Sequence, residues 1–282
     1  MHVFAPSALL MLALLTLSGC TSMVTNNLGN NLSEAIMNQD DLQTVEAGAP
    51  AYLILIDSLI AGNPDDRQML LAGSRLYSAY ASVFVEDQER SQRMAKRALD
   101  YSQRALCARQ ATLCAQLDGP YQKYLPALQQ VGKRDVELIY THALAWALWT
   151  QSHSNDWNAI ANLPKIEAMF ERVTQLEPHY REGEPWLYLG IIRTLLPPAM
   201  GGRPEEGRKA FEQAIALSEG ENLMAKVEYA RRYARMTFDQ PLHDRLLQEV
   251  LDAPLESPGR TLTNRLAKQE AQKLLDAAAN YF

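Results

Sequence analysis

Apolar residues recur along this chain at helical rather than strand spacing, most clearly from Asn155 to Gly220. Ile166, Phe170 and Val173 stand at i, i+4 and i+7, so they share one helix face, and Pro178 stops that helix five residues later. Gly207, Phe211 and Ala214 repeat the spacing and end at Ser218-Glu219-Gly220. Between the two copies, Trp186, Leu189 and Gly190 mark a further helix. Such a pattern predicts paired helices, with the small–aromatic–small face of the second helix packing on the first.

Trp186, Leu189 and Gly190 match W-x2-L-G, the first-helix pattern of tetratricopeptide repeats, and the two flanking faces resemble its second helix. Weaker copies lie on both sides. Tyr52, Ile56 and Leu59 precede Asn63-Pro64, Ala95, Leu99 and Ser102 fall within residues 88–107, and Leu247 pairs with Val250. Helices are therefore predicted from Pro50 to residue 62 and over 67–85, 88–107, 135–152, 222–238, 241–250 and 261–279. The 135–152 helix, apolar almost all round, is expected to be central, and the last to cap the stack. Asn155-Asp156 can cap a short helix carrying Trp157 and Ile160, and Pro164 suits the start of the next. No stretch reads as a strand. The predicted class is all-α: stacked helical hairpins, a tetratricopeptide-like solenoid with an irregular insert and a C-terminal capping helix.

The period departs from the standard in one place. Phe170 and Phe211 are 41 positions apart, against about 34 for the repeat. Most of the surplus falls at residues 196–202, Leu-Pro-Pro-Ala-Met-Gly-Gly, where prolines end a helix and glycines permit positive φ. A second irregular segment, 108–133, contains Gly119-Pro120 and Pro126 and is expected to form short helices or a loop.

The N-terminus adds a different signal. Its first twenty residues hold no Asp, Glu, Lys or Arg, and residues 8–17 are nearly all apolar, too short a run to span a bilayer comfortably. The run ends in Leu17-Ser18-Gly19-Cys20, which resembles the lipobox of bacterial lipoproteins. That resemblance implies a signal peptide over 1–19, lipid attachment at Cys20, a polar Asn-rich tether to residue 40 and a repeat domain over 41–282. Acyl chains on Cys20 would exceed the marginal hold of a single chain. Thr21 rather than Asp follows the cysteine, which by the same resemblance favours the periplasmic side of the outer membrane.

Composition narrows the chemistry. A formal charge of −6 with a pI near 5.5 argues against nucleic acid, which requires a basic footprint. The remaining cysteines, Cys107 and Cys114, can form a disulfide only if their helix breaks near residues 109–112, because seven helical residues span about 10 Å. Two buried thiols are the alternative. His2, His142, His153, His179 and His243 include no i, i+4 pair, and no nucleotide-binding or hydrolase motif occurs. Neither metal site, cofactor nor catalytic residue is nominated. Six aromatics near the middle, Tyr140, Trp146, Trp149, Trp157, Trp186 and Tyr188, are either core packing or the lining of an apolar ligand site between helices.

Several of these motifs together resemble the T-component (TatT-like) family associated with tripartite ATP-independent periplasmic (TRAP) transporters. They are Asn155-Asp156-Trp157, Leu163-Pro164, Leu189-Gly190, Leu196-Pro197, Gly201-Gly202-Arg203-Pro204 and the run from Lys209 to Ile215. The resemblance implies a lipoprotein of helical hairpins around an apolar cavity or pore. It further implies a homotrimer that docks the transporter's periplasmic solute-binding subunit, with small apolar or amphipathic organic acids as ligands and no reaction of its own. The competing reading is a repeat lipoprotein that scaffolds other envelope proteins.

Overall fold

The computed structural model describes residues 34–282. Cys20, the signal segment and most of the tether lie outside the described residues. Helix α1 (Leu42–Gly62) starts where Asp41 accepts from the Gln43 amide. The sequence pattern had placed that start at Pro50, which instead lies inside the helix. Proline leaves the Glu46 carbonyl without its helical donor, but Glu46 is exposed, so water can satisfy it and the helix runs on.

Side-chain caps also start α2 (Arg67–Phe84) at Asp66 and α3 (Gln88–Arg109) at Asp87. The helix α3 ends at Arg109, and Gln110 breaks the axis with φ −125° and ψ 62°. The break brings the Cα atoms of Cys107 and Cys114 to 5.0 Å, and the two form a disulfide that closes α4 (Ala111–Cys114) back on α3. Next come α5 (Tyr121–Gln129), α6 (Val136–Ser152), α7 (Trp157–Ile160), α8 (Leu163–Leu176), α9 (Glu184–Arg193) and α10 (Pro204–Leu217). Helix α11 (Leu223–Glu228) runs into a π-helical turn, Tyr229–Ala234, before α12 (Gln240–Asp252) and α13 (Thr261–Asp276). No strand occurs among the described residues.

The main helix pairs are α2 with α3, α3 with α6, α6 with α8, α9 with α10, and α12 with α13. Buried on almost every side, α6 is the centre of the larger hydrophobic core, which extends from α1 to α8 and takes in Leu189 of α9 and Ala210 of α10. A second core joins α9 and α10 to α11, α12 and α13. Ile166, Phe170, Val173 and Phe211 are wholly buried, as their shared spacing predicts. The glycines of the pattern supply the close approach. A Cβ on Gly190 would lie 2.6 Å from the Phe211 ring, and one on Gly207 would lie 2.5 Å from the Thr194 methyl.

The insert before α10 is a fixed turn. Only Gly201 has a positive φ, 90°, whereas the sequence pattern assigned that freedom to both glycines. Gly202 is needed for space: a Cβ there would lie 1.6 Å from the Leu196 carbonyl oxygen. Its amide donates to Pro197 O at 3.1 Å, and the Arg203 amide donates to Arg193 O at 2.9 Å. Glu167 of α8, largely buried, bridges Arg193 at 2.8 Å and Arg203, so the insert is fastened to the preceding hairpin.

Two basic side chains tie the irregular segment to α8. Lys165 Nζ donates to Leu117 O at 2.5 Å, and Arg172 donates to the carbonyls of Gln129 and Val131. Helix α1 is long and apolar enough to cross a membrane by length and composition alone. Its Val45, Ala49, Leu53, Ile56 and Ile60 are nevertheless buried. Asp57 accepts hydrogen bonds from Tyr77 at 2.8 Å and Tyr101 at 2.6 Å, which joins α1 to α2 and α3.

The two glycines of the insert predict different costs. Gly201→Ala meets open space and only the positive φ, about 1 kcal/mol. Gly202→Ala meets a backbone oxygen that cannot rotate away and should cost about 3 kcal/mol. Urea unfolding of both variants checks the order, and equal losses would contradict this account of the turn.

Candidate functional site

The six aromatics singled out by the sequence do not all meet. Tyr140 and Tyr188 do, with ring centroids 6.4 Å apart, in a cluster completed by Phe170 and Tyr180. Phe170 stacks on Tyr188 at 5.1 Å and 10°, and Tyr180 meets the edge of Tyr140 at 5.0 Å. Trp146, also buried, contacts His142 further along α6, and Trp149 stacks on His153 at 4.5 Å. Trp157 is 78% exposed on α7, and Trp186 packs between the two cores. Helical geometry accounts for the scatter, since Tyr140 and Trp146 are six residues apart and point to different faces of one helix.

What completes the cluster is the chain entering α9. Arg181, Glu182 and Gly183 have φ values of 45°, 53° and 84°, three left-handed residues in succession of which only the glycine is at ease. Strain of this kind costs about 1–3 kcal/mol per residue and persists where surroundings enforce it. Here Glu182 pairs with Arg260, Arg181 lies 3.7 Å from Glu184, and Gly183 packs against Leu217. The turn carries the Arg181 guanidinium to 5.4 Å from the Tyr140 ring centroid and 5.8 Å from that of Tyr180. Cation–π attraction of this type contributes about 0.5–2 kcal/mol, more as water is excluded.

Charges around the cluster are set by burial and by Glu184. Burial opposes the charge on Arg181, but Glu184 and the neighbouring phenols more than compensate and raise its pKa above the ordinary value. Burial, then Glu184, raises Tyr140 far above the usual phenol range and pushes Tyr188 up as well. Both phenols are therefore neutral donors at physiological pH. Tyr140 Oη nonetheless has no hydrogen-bond partner, nor does Trp186 Nε1, although both atoms are buried. Leaving such donors unpaired costs about 1–3 kcal/mol each. A half-exposed cation over the Tyr140 and Tyr180 rings is chemistry suited to an organic carboxylate. Among the described residues, no group of three His, Cys, Asp or Glu is placed to hold a metal ion.

The sequence reading missed Phe170 as a cluster member and Tyr180, Arg181 and Glu184 altogether. Phe170 was visible only as a repeat position. Gly183 was the sole available signal for the turn.

A second buried polar group lies deeper. His142 Nδ1 is 3.0 Å from Ser102 Oγ, which donates its own proton to Leu99 O. Nδ1 therefore carries the ring proton, and Nε2 is left as a buried lone pair without a partner. Burial depresses the His142 pKa to about 3.

Comparison with known proteins gives two matches. Residues 38–282 match the model of a family described as TRAP transporter T-component. An uncharacterized protein of Treponema pallidum (strain Nichols) is 24% identical over 274 residues, covering 89% of this chain and 84% of its own length.

His142 predicts an acid-side weakening of the fold. Its folded pKa lies below its unfolded value, so below about pH 6.5 the unfolded chain takes up a proton that the native state refuses, down to about pH 3. Stability from this group is complete above that window and falls with pH by at most about 1.4 kcal/mol per unit. His142→Leu should flatten the decline of Tm between pH 7 and 4. Parallel curves for variant and parent would exclude His142 as its source.

Proposed function

The chain belongs to the TRAP transporter T-component family and so to the accessory part of a TRAP transport system; on that premise we propose the following role. The protein is a lipoprotein, anchored through Cys20 on the periplasmic side of the outer membrane. It docks the periplasmic solute-binding subunit of its transporter. It also holds a small amphipathic organic acid against Tyr140 and Tyr188, with the carboxylate on Arg181. Membership over 38–282, insert included, is the observation that carries the docking role. The strained turn that presents Arg181 to the Tyr140 and Tyr180 rings supports the ligand. Assembly as a homotrimer is part of the same reading and rests on the family alone.

Trp186, whose indole N–H lacks a partner, is the natural reporter for the ligand. Titration with medium-chain and aryl carboxylates should quench tryptophan emission saturably. Arg181→Ala should weaken the response at least about tenfold, the loss expected for a charge-assisted contact. No saturable response across such a panel would remove the ligand from this account. The anchor is tested separately: Cys20→Ala should abolish lipid labelling and release the protein from the membrane fraction. Unchanged membrane partition would contradict it. An uptake assay separates the transport role from a general scaffold. Deleting the gene should lower TRAP-dependent solute uptake, whereas normal uptake with altered levels of other envelope proteins would favour the scaffold.

A further inference from the structure

The π-helical turn of α11 builds one wall of an open pocket that the aromatic cluster does not share. Arg231, Arg232 and Arg235 are spaced so that all three face one side of the helix, and the widened turn Tyr229–Ala234 carries the first two. With Met236, Phe238 and Tyr281 they line an open depression of about 390 Å³, within the size range of small-molecule sites. Thr194, just past the end of α9, also lines it. Tyr188 of the cluster precedes Thr194 by six residues of the same helix, about 9 Å along its axis, and Arg181 lies beyond the helix's far end.

Charge in the pocket is unequally satisfied. Arg231 pairs with Glu228 at 2.5 Å and Glu270 at 2.6 Å, and Arg232 with Glu228 at 2.6 Å. These two carboxylates offset two of the three positive charges and fix the guanidinium groups they hold. Arg235 forms no ion pair among the described residues. It sits over the Tyr281 ring, guanidinium carbon 3.2 Å from the centroid. A guanidinium held on a ring face keeps its N–H fork at the rim, where it can take both oxygens of a planar anion. Beside it Phe238 is 77% exposed and has a φ of 55°. An aromatic side chain gains little from such a position unless something covers it, and its backbone is strained there.

We propose that this pocket binds a small monocarboxylate with an apolar body, its carboxylate on Arg235 and its hydrocarbon against Phe238 and Met236. One unopposed charge suits a monoanion, in a chain whose formal net charge is −6. The assignment stands on the pocket alone and does not rest on the transport role or on Arg181.

Calorimetry with phenylacetate, performed in the Arg181→Ala background, isolates this site from the aromatic cluster. The expected result is one-to-one binding that Arg235→Gln weakens at least about tenfold, as for a charge-assisted bidentate contact. Phe238→Ala, at an exposed position, should weaken binding with no effect on folding, which keeps the test valid if the arginine variant is poorly folded. Phenylacetamide and inorganic phosphate should bind more weakly than phenylacetate, since each lacks half of the recognised chemistry. No phenylacetate binding in this background, or equal binding by Arg235→Gln, would overturn the proposal. Phosphate or phenylacetamide binding as tightly as phenylacetate would do the same. Binding confined to a peptide ending in phenylalanine with a free carboxylate would assign the pocket to a protein partner and overturn it as well.

Discussion

The rest of the molecule depends on the contact between the Phe211 ring and the bare Cα of Gly190. With a Cβ only 2.6 Å from the ring, no larger residue fits at 190 without displacing Phe211. That contact is also where the two hydrophobic cores meet. Leu189 and Ala210 pack into the first, Leu187 and Phe211 into the second. Helix α9 is thereby held on both sides, and both candidate binding sites are built at its ends. Arg181 and its strained turn lead into the N-terminal end, and Thr194 lines the arginine pocket at the other. A packing rule of the repeat thus becomes a positioning device for polar chemistry.

The electrostatic pattern is consistent with that division. In an acidic chain, most of the interior-facing arginines are paired: Arg193 and Arg203 with Glu167, Arg231 and Arg232 with Glu228. Two others are placed on tyrosine rings, Arg181 on Tyr140 and Arg235 on Tyr281. A ring face stabilises a cation without occupying its N–H donors, whereas a carboxylate consumes them. Arg181 has both kinds of partner, since Glu184 lies 3.7 Å away, whereas Arg235 has the ring without an ion pair among the described residues.

Much of the architecture was legible because helices announce themselves at a period near 3.6 and the repeat faces recur. The 41-residue interval at the double glycine located the insert, although the reason for Gly202 was contact with Leu196 O, a fact of space that sequence does not carry. The start of α1 was misplaced because Pro50 is a stronger visible signal than the Asp41 cap, yet an exposed helix tolerates the missing bond. The condition for the Cys107–Cys114 disulfide was readable, and Gln110 supplied the break. The π-turn left no trace, since one extra residue in one turn hardly alters hydrophobic spacing. Site residues were the least legible. Aromatic type singled out Tyr140 and Tyr188, which the fold brings together, but nothing local distinguishes them from Trp157, and Arg181 is brought to them by a backbone conformation its own sequence disfavours.

Docking of the transporter's solute-binding subunit is the central claim, and direct association of the two purified proteins tests it most directly. The account predicts saturable binding by biolayer interferometry of the immobilised 38–282 domain with the solute-binding subunit of the same TRAP system, and none with that of an unrelated transporter. Absence of binding to the cognate subunit, or equal binding to both, would contradict it.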